Sequence, residues 1–160
     1  MNPPYGRQHL LDQLDTIVSA EKDRRRALQS VADTLKTFGN YRWVGLYDLD
    51  YAAGLVRNLV WSGPGAPEYP TFPINRGLTG AVIASGRTIN VGDVAADSRY
   101  LTAFGSTQSE IIVPVFANAG GGVVGTIDVE SEKRDAFSAE IEGLLADCSE
   151  RIRPLWLRSP

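Results

Sequence analysis

Apolar residues recur at helical spacing twice near the start of the chain. Leu10, Leu11, Leu14, Ile17 and Val18 form one stripe; Ala27, Leu28, Val31, Ala32, Leu35 and Phe38 form a second. Glu21-Lys22-Asp23-Arg24-Arg25-Arg26 interrupts the pattern, with Ser19 placed to cap the second helix. Gly39-Asn40 closes the helical region. The period then shortens, and residues 43–47 and 55–61 read as a strand pair joined by 48–54. Residues 62–73, rich in proline and glycine, read as a loop. A short helix at 78–85 ends at Gly86, a brief strand follows at 88–91, and 92–105 is irregular, with Asp93 and Asp97 as local caps. Residues 111–117 and 123–130 are the strongest strands, folded back around a turn at 118–122. Ser138 starts a last helix with the stripe Ile141, Leu144, Leu145, Cys148, Ile152 and Leu155, which Pro154 kinks or ends.

Strands in the middle and long helices at both ends describe an α+β protein. An antiparallel sheet carries the terminal helices on one face, and long loops and the short helix roof a pocket on the other. No repeat or linker divides the 160 residues, enough for one core. The expectation is a single domain, with an N-terminal helical region at 1–38 and the sheet, pocket and last helix at 39–160.

Charge removes several partners. A net charge of −3 offers no nucleic-acid groove and no polybasic membrane patch, and Arg24-Arg25-Arg26 reads as a solvated helix face. One cysteine, Cys148, and one histidine, His9, exclude a disulfide framework, a zinc site and a two-cysteine redox couple within the chain. No metal and no cofactor is expected. The start Met1-Asn2-Pro3-Pro4-Tyr5 lacks signal-peptide character, and no apolar run is long enough to span a bilayer. A cytoplasmic protein is the expectation.

Familiar catalytic motifs fail. Gly120-Gly121-Gly122-Val123-Val124-Gly125 matches a dinucleotide fingerprint in letters, but a strand follows it where a helix is needed, so it reads as a hairpin turn. No P-loop, HExxH or GxSxG pattern occurs. His9 reads as a surface or packed residue. Cys148 reads as a buried structural thiol with a raised pKa.

Three acids remain. Glu110 heads an apolar run, and Asp128 and Glu130 share a face two residues apart on the next strand. The hairpin brings all three to one end of the sheet, where they repel one another unless a cation intervenes. That cation is either an internal arginine (Arg76, Arg87 or Arg99) or the ammonium group of a ligand. Trp43, Gly45 and Tyr47 also share a face, two aromatics with a concave gap over the glycine. Core packing explains such a pair, but aromatic walls beside carboxylates also suit a small cationic or zwitterionic ligand.

Four segments add a resemblance. Arg42-Trp43-Val44-Gly45-Leu46-Tyr47, Asn75-Arg76-Gly77-Leu78-Thr79-Gly80, Ser109-Glu110-Ile111-Ile112-Val113-Pro114 and Gly125-Thr126-Ile127-Asp128-Val129-Glu130 occur in order over nearly the whole chain. Together they resemble the GAF sensory-domain superfamily, and within it the free methionine-R-sulfoxide reductases. The resemblance implies a six-stranded antiparallel sheet, N- and C-terminal helices on one face, a ligand pocket on the other, and a homodimer through those helices. It implies that Trp43, Tyr47, Glu110, Asp128 and Glu130 hold the amino-acid end of a ligand, with Glu130 standing where the reductases have a shorter acid. Their cysteines fall at Tyr69, Thr79 and Ala103, with Ala103 in the place of the attacking thiolate. Thiol reduction of a sulfoxide needs that nucleophile and a second thiol to resolve the product. The expectation is therefore a non-catalytic small-molecule binding or sensory domain, for a free amino acid or derivative, that signals through dimerisation or a separate partner. A divergent reductase drawing on external thiol is the alternative. A dimeric scaffold with a vestigial pocket is the third reading.

Overall fold

The structure, a computed structural model, describes residues 4–101 and 105–159. Two helices lead, α1 (Pro4–Ala20) and α2 (Arg24–Gly39). The cap of α2 is Asp23 rather than Ser19: the Asp23 carboxylate accepts from the Arg26 amide, while Ser19 Oγ donates back to the Thr16 carbonyl inside α1. A carboxylate at the positive end of a helix serves better than a hydroxyl one turn too early. Arg25 and Arg26 are exposed, but Arg24 is half-buried, its Nε donating to the Leu155 carbonyl at 2.7 Å. Asn40 ends α2 in the left-handed conformation, φ 51°.

Six strands follow: β1 (Trp43–Asp50), β2 (Leu55–Ser62), β3 (Thr71–Pro73), β4 (Ile89–Val91), β5 (Ser109–Phe116) and β6 (Val123–Ser131). They form one antiparallel sheet in the order β3-β2-β1-β6-β5-β4. Between β3 and β4 runs α3 (Gly77–Ser85), and α4 (Ala139–Ile152) follows β6. Residues 71–73, part of the expected loop, are strand. An edge position tolerates Pro73 because no further strand needs its missing N–H. The chain does turn at Pro154, into a short 3-10 helix, Arg153–Trp156.

The terminal helices α1, α2 and α4 cover one face. Leu14, Leu28, Leu35, Leu145 and Ile152 pack there on Val44, Leu46, Val113, Ile127 and Val129, all buried. Burying each such side chain contributes about 1.5–3 kcal/mol, so this layer supplies most of the stability. A bulge between Leu46 and Tyr47 makes Leu59 an extra residue on β2. It shifts the phase of that strand: Val56 packs on the far face and Val60 on the helical face, although they are an even number of residues apart. The Asn58 amide closes the bulge by donating to the Val60 carbonyl at 3.0 Å. From the helical side, Trp156 Nε1 donates to the Tyr47 carbonyl at 3.2 Å. Gly125 makes room for it, since a Cβ there would lie 2.0 Å from that nitrogen. No described helix is long and apolar enough to cross a membrane.

Candidate functional site

On the far face, two apolar clusters leave a gap between them. One is Trp43, Tyr47, Leu49, Val56, Phe72 and Val123; the other is Leu78, Val82, Val91, Val94 and Ile112. The three acids rise into that gap. β5 begins at Ser109, earlier than the apolar run implies, so Glu110 lies inside the ladder and pairs with Glu130. Asp128 faces Ile112 on one side and Gly45 on the other. Glu110, Asp128 and Glu130 are only 3%, 6% and 0% exposed, and one oxygen from each lies within 4.8 Å of the other two.

Their electrostatics follow from that crowding. Burial first, and then the Asp128 charge, push the Glu110 carboxyl well above the usual range. Burial raises Asp128 to about 6, opposed by a hydrogen bond with Glu110. Burial and the Asp128 charge raise Glu130 to about 8, opposed by hydrogen bonds from Thr107 and Tyr100. Thr107 Oγ1 donates to Glu130 Oε2 at 2.9 Å. Asp128 Oδ1 and Glu130 Oε1 are buried with no hydrogen-bond partner among the described residues. Leaving such an oxygen unpaired costs about 1–3 kcal/mol, and more if it is charged.

The internal arginine does not materialise. Arg99 pairs with Asp97 at 2.7 Å, Arg76 stands exposed at the head of α3, and Arg87 is exposed beyond its end. No ion pair among the described residues reaches any of the three acids.

Glu110 and Asp128 open onto a cavity of about 360 Å³, counted out to solvent, of which about 30 Å³ can hold the centre of a water molecule. As it stands it has room for about two waters. A larger guest requires its roof, Pro67, Tyr69 and Leu101, to lift. The opposite wall is the start of α3, Gly77, Leu78 and Thr79. Their amides precede the first bond of that helix, Gly80 N to Arg76 O at 2.9 Å, and have no backbone acceptor among the described residues, at a partly positive helix end. Gly77 takes φ 70°, and a Cβ there would press on Leu101 at 3.2 Å. Carboxylates on one wall and amide donors on the other suit a small molecule with a cationic nitrogen and an anionic group.

The expected site residues divide. Tyr47, Glu110 and Asp128 line the cavity, whereas Glu130 and Trp43 do not. Glu130 is held beside Thr107. The Trp43 indole fills the gap over Gly45 that residue spacing suggested was open, and its Nε1 donates to the Gly65 carbonyl at 3.0 Å, tying down the roof loop. Trp43 lies tilted behind Tyr47 at 6.4 Å between ring centroids, and Tyr47 meets Phe72 edge-on at 6.0 Å. Phe72, Pro67, Leu101 and Thr107 were not signalled by the sequence, because they sit in loops or an edge strand without periodicity. Tyr69 and Thr79 both line the cavity; Ala103 lies outside the described residues. Cys148 is on the helical side of the sheet, fully buried, its thiol pushed up to about 12 chiefly by burial. His9 is exposed on α1.

Comparison with known proteins agrees with this fold. The model of the GAF domain family matches residues 23–153. GAF domain-containing protein A of Dictyostelium discoideum is 28% identical over 81% of this chain and 79% of its own length. Among solved structures, the free methionine-R-sulfoxide reductase of Neisseria meningitidis in complex with its substrate superposes with a TM-score of 0.87 at 26% identity, over 98% of this chain and 93% of that one. The type II free methionine-R-sulfoxide reductase of Thermoplasma acidophilum does so at 0.76 with 32% identity, over 83% and 92%.

Proposed function

The chain belongs to the GAF domain family of small-molecule binding and sensory domains, and on that premise we propose that its pocket binds a free amino acid or a close derivative without reducing it. One observation carries the reading: two carboxylates, one with a buried oxygen unpartnered among the described residues, face a cavity that has the start of α3 on its other wall and no arginine, lysine or histidine among its described lining residues. The ammonium group would sit between Glu110 and Asp128, the carboxylate at the head of α3, and the side chain against Tyr47 and Phe72. The roof over residues 62–70 would close on the occupant. Signalling would leave through a homodimer built on the terminal helices, or through a separate partner.

The sulfur chemistry sets the second reading. Similarity to two reductases favours an enzyme of the same kind, yet Tyr69 and Thr79 carry no thiol and Cys148 lies behind the sheet. Reduction would need two equivalents of an external thiol, giving sulfide, disulfide and water. Isothermal titration against a panel of free amino acids and their oxidised forms tests binding, and incubation of methionine-R-sulfoxide with protein and dithiothreitol tests turnover. Heat of binding without turnover is the expected result. No binding anywhere in the panel defeats the first reading, and turnover above the thiol-only rate establishes the second.

A further inference from the structure

Three buried acids without a cation pose a charge problem that the fold must already have solved. Glu110 and Asp128 are both buried, an oxygen of each lies within 4.8 Å of the other, and no ion pair among the described residues reaches either, so two full negative charges would repel there and one carboxyl keeps its proton. We infer that this proton is the site's own countercharge, and that a ligand binds by putting its cationic nitrogen where the proton was. The inference rests on the amine-binding reading and specifies how that site takes its guest.

Among the described residues, the surroundings leave no other source of positive charge. From β1 the facing titratable group is Tyr47; from the segment after β4 they are Tyr100 and Asp97; from β6 they are Asp128 and Glu130. The phenols lie far above their usual range and are neutral. Asp97 is acidic and its partner Arg99 is half-exposed, bonded outward to it through two nitrogens. α3 carries no charged side chain, and residues 102–104 are Thr, Ala and Phe. Glu68, the one charge of the roof loop, is another acid and exposed.

Geometry makes the exchange possible. A nitrogen between Glu110 and Asp128 would lie beside the point where one oxygen from each of the three acids falls within 4.8 Å of the others, and Asp128 Oδ1 has no partner among the described residues. In the exchange the O–H bond of Glu110 breaks, the proton leaves to solvent, and the ammonium group donates to both carboxylates. One positive charge enters and one leaves, so the buried site gains no net charge. A neutral isostere cannot drive this, because nothing would balance the departing proton. Affinity therefore rises with pH by up to ~tenfold per unit until the cluster or the amine itself deprotonates.

Infrared difference spectroscopy of the whole protein at pH 7 tests both halves. Glu130→Gln, which removes the neighbouring carboxyl that keeps its own proton to about 8, should still show the carbonyl stretch of a buried protonated carboxyl, and adding either Glu110→Gln or Asp128→Asn should change it. Methylammonium chloride, the smallest probe carrying the nitrogen, should diminish the band while sodium chloride at equal ionic strength leaves it. L-Methionine should then bind with an enthalpy that differs between phosphate and Tris buffers by the heat of about one released proton. Absence of the band from Glu130→Gln overturns the inference whatever binds. Persistence of the band under both methylammonium and L-methionine, or buffer-independent heats, also overturns it. Loss of the band to methylammonium with no amino acid binding keeps the exchange and rejects the amino-acid reading.

Discussion

The Trp43 indole occupies the space above Gly45: a β-carbon on that glycine would stand 2.2 Å from Cη2 and 2.5 Å from Cζ3 of the ring. Gly45 also faces Asp128 across the β1–β6 ladder. A glycine in mid-strand thus lets an aromatic ring lie down beside a carboxylate. Gly45→Ala should expel the indole, cost about 1–3 kcal/mol by overpacking, and free the Gly65 end of the roof loop. Urea unfolding would measure the first effect, and hydrogen exchange at residues 63–67 the second.

Asp128 should matter more to binding than to folding. Asp128→Asn keeps the shape but removes the charge that receives the ligand nitrogen, so affinity for a bound amino acid should fall about 10- to 100-fold. Calorimetric titration of wild type and variant, with circular dichroism to establish the fold, checks this. Equal affinities would place the nitrogen elsewhere.

Stability should fall as the solution becomes alkaline. Asp128 holds its proton to about 6 and Glu130 to about 8 in the folded protein, while an unfolded carboxyl loses it near 4. Between those values the folded state binds more protons, so unfolding free energy decreases with rising pH. A drop of roughly 4–5 kcal/mol from pH 5 to pH 8 is expected without ligand, and Glu130→Gln should remove the larger part of it. Chemical unfolding at a series of pH values reads the slope, whose sign would be reversed were these acids paired with arginines.

Cys148 should be inert until the protein unfolds. It is fully buried among the terminal helices and its thiol is pushed up to about 12, so a thiol-specific reagent should modify it at the rate of global opening. Cys148→Ser would bury a hydroxyl in an apolar layer, at a cost of about 1–3 kcal/mol, and leave ligand affinity unchanged. Rapid labelling of the native protein would contradict this.

Much of the fold was readable from spacing. The stripes on α1, α2 and α4 and the hairpin of β5 and β6 have strong periods, because each buries one face against the same layer. β3 was hidden, since three residues that end in a proline carry no period. The cap of α2 was misread by four residues, because Ser19 and Asp23 are both acceptable capping types and only the packed helix ends choose between them. The carboxylate trio was legible because strand alternation and one hairpin suffice to bring its members together.

What the sequence determined by itself, then, is which acids and aromatics share a sheet face and that the pocket positions Tyr69 and Thr79 carry no thiol; period and composition are local properties. Only the tertiary structure decided that no arginine among the described residues answers the acids, that Trp43 closes the gap over Gly45 and leaves Tyr47 to line the cavity, and that Glu130 lies off the cavity wall beside Thr107. Those outcomes depend on distances between segments far apart in the chain, which are set by how the loops pack over the sheet.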